Sequence, residues 1–187
     1  NIKHYIGEMY FLRAKNYLSK LETFGDFPII KNTLPDENEP LTQASKREPR
    51  HKVARFILED LDQTIGLLTN NISGGKNRIT KNAALLLKSR AALFEASWLT
   101  YHRGTALVPG GSGWPGKAED IADFNIDTEI AFFLKEAKEA AKEVIGNAAL
   151  MQNTAKDCMD ETVKTDEDKY KMSNPYFAQF SANSLEG

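Results

Sequence analysis

The strongest constraint in this sequence is that it repeats itself at long range. Leu12-Arg13-Ala14, followed by Tyr17 and Leu21, superposes on Ser89-Arg90-Ala91, followed by Phe94 and Trp98, at an offset of 90 − 13 = 77 residues. A second stretch with Leu61, Ile65 and Leu68 falls on Ala137, Ala141 and Val144 at 137 − 61 = 76. Two helix types alternating at a near-constant offset are what stacked helical hairpins produce, because one hairpin cannot cover its own apolar face and needs a neighbour. The offset is about twice the tetratricopeptide period of roughly 34 residues. The expected class is therefore all-α, with tetratricopeptide-like hairpins in a right-handed solenoid separated by long inserted loops.

Four helices carry this pattern. In the first, Ile2, Ile6, Met9, Tyr10, Ala14, Tyr17, Leu18 and Leu21 keep three-and-four spacing up to Phe24, and Gly25 ends it. Pro28, Pro35, Pro40 and Pro49 then make residues 25 to 50 a long, partly extended connection, since each proline removes a donor and restricts its predecessor. The second helix runs from Arg50 to about Leu68, with Val53, Ile57, Leu61, Ile65 and Leu68 inward. Thr80 is placed to cap the third, Lys81 to about Tyr101, whose apolar residues spread over most of the circumference and predict the most buried helix of the set. A loop from Pro109 to Gly116 follows, too rich in glycine and proline for regular structure. The fourth helix spans about Thr128 to Ile145, with Asp127 and Glu129 near its positive end. Residues 147–187 lose the pattern and predict a less regular tail of a single helical domain over 1–187, read as a segment of a longer chain.

Composition narrows the function classes. With 24 Lys and Arg against 26 Asp and Glu, the formal charge is −2, so no basic excess exists to neutralise nucleic-acid phosphates or an anionic membrane. The longest apolar runs, Ala83 to Leu87 and Ile130 to Leu134, fall far short of the roughly 20 residues that span a bilayer. Cys158 is the single cysteine and supplies neither a disulfide nor a zinc site.

Candidate chemistry is sparse. His4 with Glu8 has helical i, i+4 spacing, and His51 and His102 flank helices, but none fits a metal-binding motif. Gly111-Ser112-Gly113 is not a nucleophile elbow, and Gly110, Gly111 and Gly113 match no phosphate-binding fingerprint. No catalytic residue, cofactor or metal is expected. The best ligand-binding candidates are aromatic and lie around the third helix end: Tyr101, Arg103 and Trp114, with Trp98 expected in the core. A loop indole is costly to expose unless it packs on its own loop or meets a ligand such as the apolar face of a sugar. Arg13 and Arg90 sit mid-helix beside alanines, where a guanidinium on a packed face needs carboxylates; Glu8, Glu59 and Asp60 are the candidates.

Several of these residues together resemble a known family. Leu12-Arg13-Ala14, Tyr17 and Thr23-Phe24-Gly25-Asp26-Phe27-Pro28-Ile29 are similar to a helix and exit turn of the SusD/RagB outer-membrane nutrient-binding lipoproteins. Pro49-Arg50, Val53, Ile57, Glu59-Asp60-Leu61 and Ile65 follow in the family's order. So do Arg78-Ile79-Thr80-Lys81 with Ala83-Ala84, Leu87, Arg90-Ala91 and Leu93, and then Ala137, Ala140, Ala141 and Val144-Ile145. The resemblance covers roughly residues 8 to 146. It implies tetratricopeptide-like helix pairs and a non-enzymatic component that captures glycans or other nutrients on the outward-facing surface of the outer membrane. The implied partner is a TonB-dependent, SusC-like transporter, and membrane attachment would run through a lipid anchor outside this segment. Arg13, Gly25, Pro28, Thr80 and Arg90 are carried over as scaffold residues. The competing reading is a general tetratricopeptide-type protein-interaction scaffold.

Overall fold

The computed structural model describes residues 2–71 and 78–148. Cys158 and the tail from residue 149 lie outside the described residues. Residues 1–70 and 79–144 form one compact unit; of the second unit, residues 71–78 and 145–187, only 71, 78 and 145–148 are described.

Among the described residues five α-helices follow in order: α1 Ile2–Phe24, α2 Asn38–Ala44, α3 Arg50–Leu67, α4 Lys81–Tyr101 and α5 Ile126–Asn147, with a 3-10 turn at Ala118–Ile121. Among the described residues there is no strand, only an isolated antiparallel bridge between Phe27 and Glu48. The all-α expectation is what the structure shows, and the bounds of α1 and α4 fall where the periodicity puts them. Thr80 caps α4 by accepting a hydrogen bond from the Ala83 N–H at 3.1 Å.

The hairpins keep one register, and the repeat explains it. Arg13 of α1 meets Asp60 of α3, and Thr64 Oγ1 donates to the Gly7 carbonyl, so the two helices run antiparallel. One step along from Arg13 and Asp60 are Leu12 and Leu61; moved by 77 and 76 residues they become Ser89 and Ala137. The Ser89 hydroxyl donates to the Ala137 carbonyl at 2.9 Å. Moving Arg13 and Asp60 in the same way gives Arg90 and Glu136, and Glu136 does face α4, where it pairs with Lys88. Between the hairpins α3 lies antiparallel to α4, with Arg50 on Glu95 at one end and Asp62 on Lys88 at the other.

The core is a seam of α1, α3, α4 and α5. Ala14, Leu18 and Leu21 meet Val53, Ile57 and Leu61, then Ala92, Ala96 and Leu99, then Phe133 and Ala137. The fully buried Phe133 ring shares this cluster with the small alanines of α4, and its burial is worth about 2–3 kcal/mol.

Four local expectations are corrected. The first turns of α1 bury Gly7 and Glu8 and leave Ile2, Ile6 and Met9 exposed, because the close contact with α3 is made by a glycine, whose added Cβ would come within 2.8 Å of Leu68 Cδ2. The proline-studded connection contains α2, which tolerates Pro40 because the proline sits in the first turn, where no helical N–H partner is needed. The most buried helix is α3 rather than α4: α3 is sandwiched between α1 and α4, whereas Leu86 and Leu93 of α4 are more than half exposed. α5 starts at Ile126, two residues before Thr128, with the Asn125 side chain accepting from the Thr128 N–H.

Candidate ligand platform

The loop between α4 and α5 is fastened to the rest of the molecule by polar side chains around one buried ion pair. Pro49 is buried at the N-cap position of α3, which directs Arg50 inward against α4. Its guanidinium donates to both carboxylate oxygens of Glu95, the shortest bond being 2.7 Å, with side-chain exposures of 3% and 0%. Burial pushes the Glu95 carboxyl above the ordinary carboxylate range, and the bonds from Arg50 act against that rise. The Arg50 guanidinium also lies 4.3 Å from the centre of a Trp98 ring. Asp26 ties this hub to the loop: one oxygen accepts the Arg50 backbone N–H and the other accepts the Trp114 indole N–H, both at 2.8 Å.

Gly25 makes the Asp26 position possible. It adopts φ +68°, a left-handed conformation open to glycine, and turns the chain sharply after α1. Pro28, half buried, continues the turn after Phe27, whose backbone pairs with Glu48. Farther along, Ile30 donates its N–H to the Tyr17 hydroxyl and Lys31 offers its carbonyl to Arg13. Arg13 itself clamps Asp60 with two bonds of 2.7 Å, and the bond to Asp60 holds its pKa above the usual arginine value.

The three ligand-binding candidates are not gathered into one site. The Trp114 indole is half buried, folded onto Gly116 and anchored to Asp26, so it staples its loop to the turn after α1. Arg103 pairs with Asp127 at the start of α5, and that bond lowers the Asp127 pKa below the usual carboxylate value. Tyr101 is 84% exposed on the last turn of α4. No hydrogen bond or ring contact joins these three among the described residues. Trp98, expected in the core, is only partly buried: its indole N–H donates to the Leu107 carbonyl and its ring packs on Phe94 and His102.

Arg90 departs from its expected place. It is exposed on the outer face of α4 and has no ion pair among the described residues, because Lys88 takes the carboxylate that the repeat puts opposite it. Burial works against the Lys88 ammonium, but hydrogen bonds to Asp62 and Glu136 outweigh it and raise its pKa.

Sequence reading missed three features here. Glu95 and Arg55 are the first two. Arg55 makes a bidentate pair with Glu129 at 2.8 and 2.9 Å and stacks over Phe132. A charged residue at a core position of an amphipathic helix was the signal available for Glu95, which sits four residues after Ala91. The third is His51, buried beside Phe124 with no hydrogen-bond partner for Nδ1, at the wall of a cleft of about 320 Å³ that also carries Lys52, Asp123 and Glu129. Burial first, and the charges of Lys52 and Arg55 next, push its pKa down to about 4. Among the described residues, no group of three or more His, Cys, Asp or Glu is placed to hold a metal ion, and no helix is long and apolar enough to cross a membrane.

No protein-family model and no curated protein matches the chain. Among solved structures, it is similar to a SusD-like protein from Bacteroides fragilis NCTC 9343, with 21% identity and a TM-score of 0.54. The match covers 81% of this chain and 22% of that one. At that identity the likeness shows the fold alone: helical hairpins of SusD-like architecture.

Proposed function

We propose that this chain is the helical platform of a nutrient-binding protein of the outer bacterial surface, one that captures a ligand without transforming it. The observation that carries this reading is the SusD-like fold, shared over 81% of the chain. The motifs from Leu12 to Ile145 that resemble the SusD/RagB lipoproteins support it as well. A glycan is the favoured ligand class and a SusC-like, TonB-dependent transporter the favoured partner.

On this reading the division of labour is physical. Buried pairs such as Arg50–Glu95 and bidentate clamps such as Arg13–Asp60 fix helix positions and hold the α4–α5 loop against them. Tyr101 presents a flat ring with a polar tip to solvent at the edge of that loop, which suits stacking on a pyranose. Arg103 sits two residues on, held in place by Asp127. Trp114 contributes by rigidifying the loop.

Affinity electrophoresis of the full-length protein in gels containing individual soluble polysaccharides tests the reading. At least one polysaccharide is expected to retard the protein, and Tyr101→Ala to lose that retardation while keeping its helical circular dichroism. Unchanged mobility on every polysaccharide, or a Tyr101→Ala variant retarded like the parent, contradicts glycan capture at this site.

A further inference from the structure

We infer that the segment from Lys117 to Phe124 is an acid-released clasp: Phe124 closes it on a neutral His51, and a proton on His51 opens it while the helices around it stay folded. The inference goes beyond nutrient capture and does not depend on it. His51 lies in the first turn of α3 and is only 5% exposed. Its ring centre is 4.6 Å from that of Phe124, and its Nδ1 has no hydrogen-bond partner among the described residues. A neutral imidazole tolerates that setting, but an imidazolium brings a charge and a second N–H that need acceptors or water. The positive end of a helix is also a poor place for a cation.

The charges around His51 offer it no counter-ion. The cleft it lines carries Lys52 and Arg55 from α3, Glu119 and Asp120 from the 3-10 turn, Asp123 from the stretch after it, and Glu129 from α5. Of these carboxylates, Glu129 is held by Arg55, Asp120 by Lys46 and Glu119 by Lys117, while Asp123 is exposed to solvent. Glu95, the buried carboxylate of α4, is bound by Arg50. Lys52 and Arg55 oppose a positive charge on the ring, in addition to its burial.

The segment over His51 is the part that can leave at least cost. It holds one 3-10 turn, Ala118–Ile121, with the Asp120 N–H on the Lys117 carbonyl and the Phe124 N–H on the Ile121 carbonyl. Among the described residues its polar fastening to the rest of the unit is a surface ion pair, Lys46–Asp120 at 2.8 Å. The bond from Lys46 holds the Asp120 carboxyl below the usual carboxylate range, so mild acid does not itself undo that pair. The chain is anchored on either side of the segment, by Trp114 on Asp26 before it and by Glu129 on Arg55 after it. Hydrating His51 from this side gives up the Phe124 contact and one surface pair. Unwinding α3 instead would break Arg50–Glu95 and pull Val53 from the core.

With a pKa of about 4 when closed and the ordinary 6.5 when hydrated, His51 shifts the opening equilibrium by up to about fiftyfold between pH 7 and pH 4.5. A single 3-10 turn freed from its support does not keep its hydrogen bonds, so amide exchange reads the opening. Hydrogen exchange of the full-length protein is followed by mass spectrometry at both pH values, with each rate divided by the intrinsic rate at that pH. Opening of residues 117–124 is expected to rise about tenfold or more relative to α1, and not to rise in His51→Leu or in His51→Gln. Lys46→Ala should loosen the segment at both pH values and keep the ratio between them. No rise in the parent, a rise that α1 and α3 share in full, an equal rise in both His51 variants, or a pH ratio lost in Lys46→Ala overturns the proposal. The regional comparison within the parent decides the place of opening even where a substitution disturbs folding. No ligand takes part, so the outcome is separate from that of the nutrient-capture reading.

Discussion

Arg50 and Glu95, 45 residues apart in sequence, meet as a closed ion pair between α3 and α4, with both side chains almost wholly removed from water. A pair in such a place is costly to desolvate, and what makes it tolerable is its geometry: three guanidinium-to-carboxylate bonds between 2.7 and 3.2 Å, and the Trp98 ring against the cation. Breaking it from one side strands a buried charge. Glu95→Ala should therefore lower unfolding free energy by about 3–5 kcal/mol in urea titrations, whereas the double replacement Arg50→Met with Glu95→Leu should lose much less. Equal losses in the single and double variants would show that packing, and not the stranded charge, sets the cost.

His51 gives the fold a dependence on acid. Its pKa is about 4 in the folded chain against an ordinary value of 6.5. Between those values the unfolded chain holds a proton that the folded one lacks, so stability falls as pH drops from 6.5 to 4 and is flat above that window. The loss reaches about 3 kcal/mol at pH 4 for this residue. Urea midpoints measured from pH 7 to pH 4 should show the slope, and His51→Leu should remove most of it. A variant with the same slope as the parent would place the acid sensitivity in other groups.

The Asp26–Trp114 bond is the fastening of the α4–α5 loop. Trp114→Phe removes that bond while keeping an aromatic ring, and should cost about 1 kcal/mol. Asp26→Ala removes a second bond as well, the one from the Arg50 backbone N–H, and should cost more. Hydrogen exchange in residues 104–116 is expected to speed up in both variants, with α1 and α3 unaffected in Trp114→Phe. Unchanged exchange in that loop would mean that its internal turns, not the fastening, hold it.

Two glycines should respond to alanine with opposite signs. At Gly7 a Cβ would come within 3.1 Å or less of Leu67 and Leu68, and the close contact between α1 and α3 would have to open; about 1–3 kcal/mol of overpacking outweighs the roughly 1 kcal/mol gained in helix propensity. At Gly66, near the end of α3, nothing lies within 4 Å, and Gly66→Ala should stabilise by up to about 1 kcal/mol. Thermal melting of the two variants decides both signs.

How far the sequence discloses this molecule depends on which physical signal is local. The helix bounds of α1 and α4, the Thr80 cap and the hairpin register follow from periodicity and from the 77- and 76-residue offsets, because each is a statement about spacing. Asp60 was one of three carboxylates open to Arg13, and tertiary packing alone ranks them. Arg90 was given the role of Arg13 by the repeat, and a lysine two residues earlier took its partner, a competition between side chains that no spacing rule records. Tyr101, Arg103 and Trp114 are close in sequence, yet Asp127 and Asp26 draw two of them to separate anchors. Glu95 gives no local signal of its pairing, because its partner lies on another helix, 45 residues away.

Capture of a ligand that is left intact is the central proposal, and one measurement meets it directly. Full-length protein is titrated calorimetrically with an oligosaccharide from whichever polysaccharide retards it, and the same mixture is analysed for new reducing ends after prolonged incubation. Saturable heat with the sugar recovered unchanged is the predicted result. Release of reducing ends in proportion to protein and time would contradict it.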